Sequence, residues 1–339
     1  MGPAGKDRRP FSSDGREART GHGQHEEAEQ EENEEKPRHL TPRRASDAGP
    51  SLSIDRVIHR VGVVGLGTMG AGIAQVSAQA GFETIGREVS NELCERARET
   101  IAHYVGRAVE KGKATAEERD ATLGRLSFTT ELADLADCDL VIEAIVEELE
   151  PKREVFAELD RLAAPDAILA SNTSAIPIHS IAEATQHPER VIGMHFFNPA
   201  PLLPLVEIIR AEKSSDAALS AAFEWAEQAG KQPVRANDTP GFIVNRILIP
   251  TLNECIRLLD EGITVEDLDK AMTMGVGWPM GPCTLVDLVG IDIHIHAAEA
   301  MYEATGDERA KPPERLREMA AEGRLGRKTG RGFYEYDKS

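Results

Sequence analysis

From Val57 onward, short apolar runs are separated by longer stretches in which apolar residues recur every three or four positions. The short runs are typical of buried strands, and the longer stretches predict amphipathic helices. The predicted strands are Val61–Val64, Phe82 towards Glu88, Cys138–Glu148 and Ala167–Asn172, and the predicted helices are Met69–Gln79, Glu92–Glu110 and a segment near Val155–Leu162. Strands that alternate with helices predict a parallel sheet covered on both faces.

The pattern changes near residue 238, after which almost every segment is helical in period. Asp238 and Pro240 supply a helix start. The predicted helices are Phe242–Leu259, Val265–Met274, a segment around Thr284–Val289, Ile291–Met301 and a last one near Pro313–Ala321. The predicted organisation is therefore an α/β half, residues 56–238, followed by an all-helical half, residues 239–339.

Residues 1–55 contain almost no large apolar side chains and show no period that could bury a face. Such a segment cannot offset the entropy lost on ordering, so a disordered tail is expected. No apolar run follows Met1, which argues against a signal peptide, and the acidic stretch Glu26–Glu35 argues against a transit peptide. The tail is interpreted as the product of an upstream translation start, with a regulatory role as the alternative.

The formal net charge is −19, although the tail holds nine basic and twelve acidic residues. The acidic balance argues against nonspecific nucleic-acid binding, so an anionic ligand must be met by locally placed Lys or Arg. No stretch approaches the roughly 18 consecutive apolar residues of a membrane span. The cysteines are widely spaced without a CxxC pair, which favours reduced thiols in the cytoplasm over a disulfide framework or a metal site: Cys94, Cys138, Cys255 and Cys283.

The stretch Gly65-Leu66-Gly67-Thr68-Met69-Gly70 is a GxGxxG motif between the first strand and the first helix. Gly65 allows a tight turn, Gly67 lets the backbone approach a pyrophosphate, and Gly70 permits close packing of helix on strand. The start of the helix supplies unpaired N–H groups for the anion. This context predicts a Rossmann-type, doubly wound sheet that binds a dinucleotide, with a ligand-free glycine turn as the alternative.

Glu88 lies eighteen positions beyond Gly70, at the end of the second strand. An acid there is expected to accept hydrogen bonds from the adenosine ribose and to repel a 2′-phosphate, which favours NAD. Arg87 could pair with that phosphate, so NADP stays open as the alternative cofactor.

Two apolar segments, Val191–Phe197 and Leu205–Ile209, each carry one titratable residue, His195 and Glu207. A buried carboxylate is costly unless it is paired. The chain reversal at Asn198-Pro199-Ala200-Pro201 could return Glu207 to His195, where it would hold the imidazole tautomer and make a general base. A core histidine bonded to a carbonyl is the alternative at this point.

Two further segments carry polar groups in apolar surroundings. Ser171–Pro177, "SNTSAIP", follows a predicted strand, so its hydroxyls are expected at the carboxyl ends of the sheet, where ligands bind in such folds. Asn245 interrupts the apolar run "GFIVNRIL". Asn245 could contact a ligand, or it could make a capping or inter-helix hydrogen bond, and the sequence leaves both open.

Eight motifs, taken together and in order, resemble the L-3-hydroxyacyl-CoA dehydrogenase family, most closely its short bacterial members, the 3-hydroxybutyryl-CoA dehydrogenases. The resemblance runs from about Arg60 to Tyr336. The motifs are "GLGTMGAGIAQ", "EAIVEELEPK", "SNTSAIP", "GMHFFNPAP", "LVEII", "DTPGFIVNRIL", "GPCTLVDLVGID" and "GRKTGRGFYEY".

The resemblance implies a catalytic role for four residues. His195 is expected to be the base and Glu207 to orient it, while Ser174 contacts the substrate oxygen and the cofactor. Asn245 completes the substrate site. The 3-hydroxyl would then lose its proton to His195 as C3 gives a hydride to the nicotinamide, and the reverse reaction would reduce acetoacetyl-CoA.

The resemblance also implies contacts with the cofactor and with CoA. Asn198 is expected at the nicotinamide half, Glu147 and Lys152 at the cofactor, and Lys328 in a C-terminal loop that contacts it. Lys111 matches a CoA-contacting lysine. The chain departs from the family at Glu88, where many relatives have Asp, and at Tyr104, which stands at a nearby serine position.

The resemblance implies an acyl-CoA substrate as one partner. A second copy of the chain is the other expected partner, because the helices of the second half look too apolar to be solvated all round. Closure of the two halves over the ligand is expected, since the site is divided between them. The alternatives are a free-acid dehydrogenase with a lysine base, a relative acting on a sugar acid or a dicarboxylic acyl-CoA, and a non-catalytic NAD-binding protein.

Overall fold

Eight strands form one sheet in the computed structural model, which describes residues 57–337. The predicted tail, residues 1–55, lies outside the described residues. The strands are β1 Arg60–Val64, β2 Glu83–Arg87, β3 Leu126–Thr129, β4 Leu140–Glu143, β5 Ile168–Ser171, β6 Val191–Phe196, β7 Leu205–Arg210 and β8 Gln232–Asn237.

The strands lie in the order β3-β2-β1-β4-β5-β6-β7-β8. Strand order therefore reverses between β1 and β4, and the carboxyl ends of these two strands form the crevice where doubly wound sheets bind ligands. One described pairing is antiparallel, that of β6 with β7, as the predicted chain reversal between Val191–Phe197 and Leu205–Ile209 requires. The chain between them is too short for a helical crossover, which a parallel pair would require.

Six helices accompany the sheet: α1 Thr68–Gln79, α2 Asn91–Glu110, α3 Ala116–Gly124, α4 Leu149–Leu162, α5 Ile178–Ala182 and α6 Asp216–Gln228. Successive residues of a strand pack into two separate apolar cores, one on each face of the sheet. Leu140 and Ile142 of β4 pack with residues of α1, α2 and α6, whereas Val141 between them packs with residues of α4 and α5. The sheet is thus covered on both faces, which confirms the predicted α/β class.

The rest of the described chain is helical, with α7 Val244–Arg257, α8 Val265–Gly275, α9 Pro282–Val289, α10 Ile291–Thr305 and α11 Glu314–Ala321. Smaller apolar clusters hold these helices together. No helix among the described residues is both long and apolar enough to cross a membrane. The division of the chain at residue 238 stays a prediction.

Two strands were not predicted, and one predicted strand is too long. Strands β3 and β8 lie at the two edges of the sheet, and their residues are only partly buried, so neither shows an apolar run. The expected strand Cys138–Glu148 ends at Glu143, where the chain leaves the sheet in a loop that reaches α4.

Candidate active site

His195 and Glu207 face each other across the β6–β7 pair, in direct register. The Nδ1 of His195 lies 2.6 Å from Oε2 of Glu207, and both side chains are buried. An ionised carboxylate only accepts hydrogen bonds, so Nδ1 carries the proton and donates it. The other ring nitrogen, Nε2, then has a free lone pair and can act as a base.

The second carboxylate oxygen of Glu207 is held by the start of α7. Its Oε1 accepts hydrogen bonds from the backbone N–H groups of Ile243 and Val244, both at 3.0 Å. The first N–H groups of a helix have no intrahelical partner and carry partial positive charge. The carboxylate is therefore paired on both oxygens, although it lies fully inside the protein.

A tight turn delivers those two N–H groups. Gly241 has a φ of 74° and Phe242 a φ of 50°, a left-handed conformation that is costly for a residue with a side chain. Phe242 is buried, and its ring centroid lies 5.6 Å from that of His195. The ring centroid of Phe197 lies 4.5 Å from that of His195. The imidazole is thus held by aromatic packing as well as by Glu207.

The loop after β5 is held by Glu147. One oxygen of this carboxylate accepts hydrogen bonds from the Thr173 hydroxyl at 2.7 Å and from the Ser174 N–H at 2.7 Å, and the Ser174 hydroxyl lies at 3.2 Å. Burial alone would raise the pKa of Glu147, but the Lys152 charge and these hydrogen bonds hold it below its usual range. Glu147 therefore stays ionised and fixes the position of Ser174.

Lys152 is fully buried and bridges two carboxylates. Its Nζ lies 2.7 Å from Oε1 of Glu143 and 3.2 Å from Oε2 of Glu147. Glu143, at the carboxyl end of β4, also accepts hydrogen bonds from the Ile145 N–H and the Ser171 hydroxyl, each at 2.7 Å. Lys152 thus acts on the loop through Glu147, and its role as a cofactor contact stays a prediction.

Glu143 was not identified from the sequence. The signal was present, because an acid inside the apolar run "DLVIEAIV" needs a buried partner just as Glu207 does. Asn172, which was quoted only within its motif, is also well placed. Its Oδ1 accepts the N–H of Phe196 at 2.9 Å and so ties the end of β6 to the loop after β5.

The glycines of the GxGxxG loop have different surroundings. A Cβ on Gly70 would lie 1.7 Å from the Gly65 carbonyl oxygen, whereas one on Gly67 would meet nothing within 4 Å. Gly70 therefore serves packing and Gly67 faces open space. No side chain caps the start of α1, so its N–H groups can meet an anion.

Glu88 lies against this loop. Its Oε1 accepts the N–H of Leu66 at 2.8 Å, and its Oε2 accepts the N–H of Val89 at 2.9 Å. The neighbouring Arg87 donates from Nε to the Thr130 carbonyl at 3.1 Å, towards the adjacent strand β3. The carboxylate is consequently fixed beside the nucleotide loop, while the guanidinium is engaged at Thr130.

Ser174 and Asn245 line one small cavity together, although they lie on the sheet half and the helical half respectively. Asn245 follows Val244, whose N–H binds Glu207, so the first turn of α7 serves both the base and the cavity. The structure therefore brings four predicted catalytic residues to one region: His195, Glu207, Ser174 and Asn245.

The remaining predicted residues are more peripheral. Asn198 is exposed just after β6, at a cis peptide bond to Pro199. Tyr104 is exposed on α2, and Lys111 is exposed at the C-terminal end of that helix. Lys328 pairs with Asp292, its Nζ lying 2.5 and 2.6 Å from the two carboxylate oxygens. The roles assigned to these residues stay predictions.

Family models match the chain over nearly all of its described length. The 3-hydroxyacyl-CoA dehydrogenase NAD binding domain matches residues 60–239, and the C-terminal domain of the same family matches residues 241–336. The expectation of NAD as the cofactor is confirmed by the first of these.

Individual relatives of the chain belong to the same family. The chain is 51% identical over 282 residues to a 3-hydroxybutyryl-CoA dehydrogenase of Mycobacterium tuberculosis, covering 82% of this chain and 99% of the relative. A probable 3-hydroxybutyryl-CoA dehydrogenase of Deinococcus radiodurans is 46% identical, with 82% and 100% covered. The crystal structure of (S)-3-hydroxybutyryl-CoA dehydrogenase from Ralstonia eutropha superposes with a TM-score of 0.80 at 40% identity, with 83% and 100% covered.

Proposed function

Because the chain belongs to the 3-hydroxyacyl-CoA dehydrogenase family, we propose that it oxidises L-3-hydroxybutyryl-CoA to acetoacetyl-CoA and catalyses the reverse reduction. Family membership makes it an NAD-dependent oxidoreductase of 3-hydroxyacyl-CoA. The choice of the four-carbon substrate is supported by relatives of 46–51% identity that carry that name. The roles of individual residues are supported by their geometry.

The observation that carries the proposed mechanism is the doubly anchored carboxylate of Glu207 beside His195. In the oxidation direction, Nε2 of His195 accepts the proton of the 3-hydroxyl group. The negative charge of Glu207 stabilises the imidazolium that forms. In the reduction direction, the same nitrogen returns the proton to the 3-oxygen.

The cofactor and the two polar groups of the cavity complete the site. Bound NAD supplies the acceptor for the hydride that leaves C3 of the substrate. Ser174 and Asn245 orient the 3-oxygen by hydrogen bonds, and Glu147 keeps the loop of Ser174 in place. The backbone N–H groups at the start of α1 hold the pyrophosphate, while Glu88 binds the adenosine ribose.

Oxidation of NADH by acetoacetyl-CoA tests this assignment, with wild type compared to His195→Gln. The variant should lose about a thousandfold in kcat, because general-base catalysis contributes about 10²–10⁴-fold. His187→Gln is the matched control, since His187 also pairs through Nδ1 with a carboxylate, Asp160, away from the site. A His195→Gln variant within tenfold of wild type would remove His195 from the mechanism.

Glu207→Gln refines the test. If both residues act as one unit, the double variant should be little worse than His195→Gln alone, because the effects of coupled catalytic groups are not additive. Turnover of a free hydroxy acid in place of the CoA thioester would point to the free-acid alternative. Binding of NADH without any turnover would identify a non-catalytic NAD-binding protein.

A homodimer is supported by apolar side chains left exposed on packed helices of the second half. Ile247 of α7 is 65% exposed and Ile293 of α10 is 53% exposed, although α7 and α10 contact each other. Further exposed apolar residues lie nearby in sequence: Ile243, Leu288 and Val289. Such a surface is typical of a subunit interface.

The mass in solution tests the dimer. Ile247→Glu should convert it to a monomer in light scattering coupled to gel filtration. Val234→Glu, which adds the same charge at a partly exposed position of β8, should leave the mass unchanged. A monomeric wild type would contradict the proposal.

The proposed reaction would serve fatty-acid and butanoate metabolism in the cytoplasm. The compartment is supported by the cysteines, all four of which are buried and free. Burial raises the pKa of Cys138 to about 12 and also raises that of Cys283, so both thiols stay protonated. This thiol chemistry fits a reducing compartment.

A further inference from the structure

The cavity beside Ser174 and Asn245 has an apolar end. Its lining includes Ile249 of α7 and Ala297 and Met301 of α10. Ile249 follows Asn245 by four residues, so the two side chains lie on the same face of α7, one turn apart. The cavity thus joins polar groups of the proposed reaction site to an apolar wall, in which Ile249 and Met301 are buried and Ala297 is half-buried.

The cavity as a whole is small. Its volume is about 10 Å³, which is room for about one water-sized group. A methyl group has nearly that size. In a 3-hydroxybutyryl thioester a single methyl group follows the reacting C3, whereas the next even-numbered homologue carries two more methylenes.

Met301 limits the cavity because its terminal methyl packs against bare backbone. A Cβ on Gly241 would lie 2.4 Å from Cε of Met301 and 2.9 Å from the backbone nitrogen of Arg246. Gly241 belongs to the turn whose following N–H groups hold Glu207, so this wall cannot retreat without disturbing the base. The Met301 side chain is therefore the removable part of the wall.

We propose that Met301, with Ile249 behind Asn245, sets the acyl-chain length and restricts the enzyme to four-carbon substrates. This specificity rests on the proposed function, because Ser174 and Asn245 must hold the reacting end of the substrate. Met301→Ala removes three heavy atoms. That is room for about two methylenes, so the variant should accept six-carbon substrates but not much longer ones.

The test measures kcat/KM for acetoacetyl-CoA, 3-ketohexanoyl-CoA and 3-ketodecanoyl-CoA with wild type, Met301→Ala and Met319→Ala. Wild type should prefer the four-carbon substrate at least about tenfold, since one methylene in an apolar pocket changes kcat/KM about 10–200-fold. Met301→Ala should raise the six-to-four-carbon ratio about tenfold or more. Met319→Ala is the matched control, because Met319 is equally buried but belongs to a separate cluster.

The converse variant keeps the proposal testable if Met301→Ala does not fold. Ala297→Leu fills the cavity, so kcat/KM for acetoacetyl-CoA should fall at least about tenfold while NADH binding, read by its fluorescence, is unchanged. An unchanged chain-length ratio in Met301→Ala, an equal shift in Met319→Ala, or full activity of Ala297→Leu would each overturn the proposal. A wild type that reduces no acetoacetyl-CoA but accepts another substrate class would instead overturn the proposed function, and this inference with it.

Discussion

We expect the buried His294 to make the stability of the folded protein depend on pH. It lies on α10 and is buried, and its Nε2 lies 2.9 Å from Oδ1 of Asn253. The amide nitrogen of Asn253 donates to backbone carbonyls of residues 309–311, so its Oδ1 must accept and Nε2 of His294 must donate. Burial lowers the pKa of His294 from 6.5 to about 4, so the folded protein keeps the ring neutral.

The sign and size of the effect follow from linkage. Between pH 6.5 and 4 the unfolded chain binds a proton at this histidine that the folded chain does not, so stability is full above pH 6.5 and falls as the pH is lowered. For pKa values of 6.5 and about 4, the loss between pH 7 and pH 5 is about 2 kcal/mol. It approaches roughly 3 kcal/mol below pH 4.

Urea unfolding at pH 7 and pH 5 measures this loss. His294→Gln keeps an N–H donor for Asn253 but cannot titrate, so it should lose about 2 kcal/mol less than wild type between the two pH values. His296→Gln is the matched control, since His296 is exposed on the same helix. Equal losses in wild type and His294→Gln would show that this histidine is not the source of the acid sensitivity.

Three further substitutions test the geometry. Gly70→Ala should abolish NADH binding or folding, because its Cβ would lie 1.7 Å from a carbonyl oxygen. Gly106→Ala on α2 is the control, since its Cβ would meet nothing within 4 Å, and NADH affinity measured by fluorescence titration should be unchanged. Lys152→Met leaves the buried carboxylate of Glu143 unpaired and should cost about 3–5 kcal/mol in urea unfolding; a loss under 1 kcal/mol would contradict the buried pair. Phe242→Gly should be roughly 0.5–1 kcal/mol more stable than Phe242→Ala, because only glycine tolerates this left-handed backbone freely. The opposite order would show that the turn is unstrained.

The local chemistry of the chain could be predicted from short segments. The GxGxxG motif, the acid at Glu88 and the apolar runs each report on a few neighbouring residues, and the predicted helices of the second half are present. The pair of His195 and Glu207 was also accessible, because a Pro-containing reversal between two short strands fixes which residues can meet. The predicted α/β class is confirmed for the same reason, since hydrophobic period is a local property.

Other features could not be predicted from local sequence patterns. The edge strands β3 and β8 contain no apolar run from which they could be predicted, because an edge strand of this sheet is only partly buried. The partner of Glu143 could not be identified from the sequence, because Lys152 lies on the following helix and only the fold shows that both are buried together.

By itself, the sequence identified the candidate residues of the site: the GxGxxG loop, His195 and Glu207, whose roles stay predictions. The tertiary structure alone decided how that carboxylate is completed, since the N–H groups of Ile243 and Val244 reach Oε1 of Glu207 only when α7 docks against the sheet. It also decided the size of the cavity at Met301. Both depend on distances between residues far apart in the chain, which packing sets and local sequence preference does not.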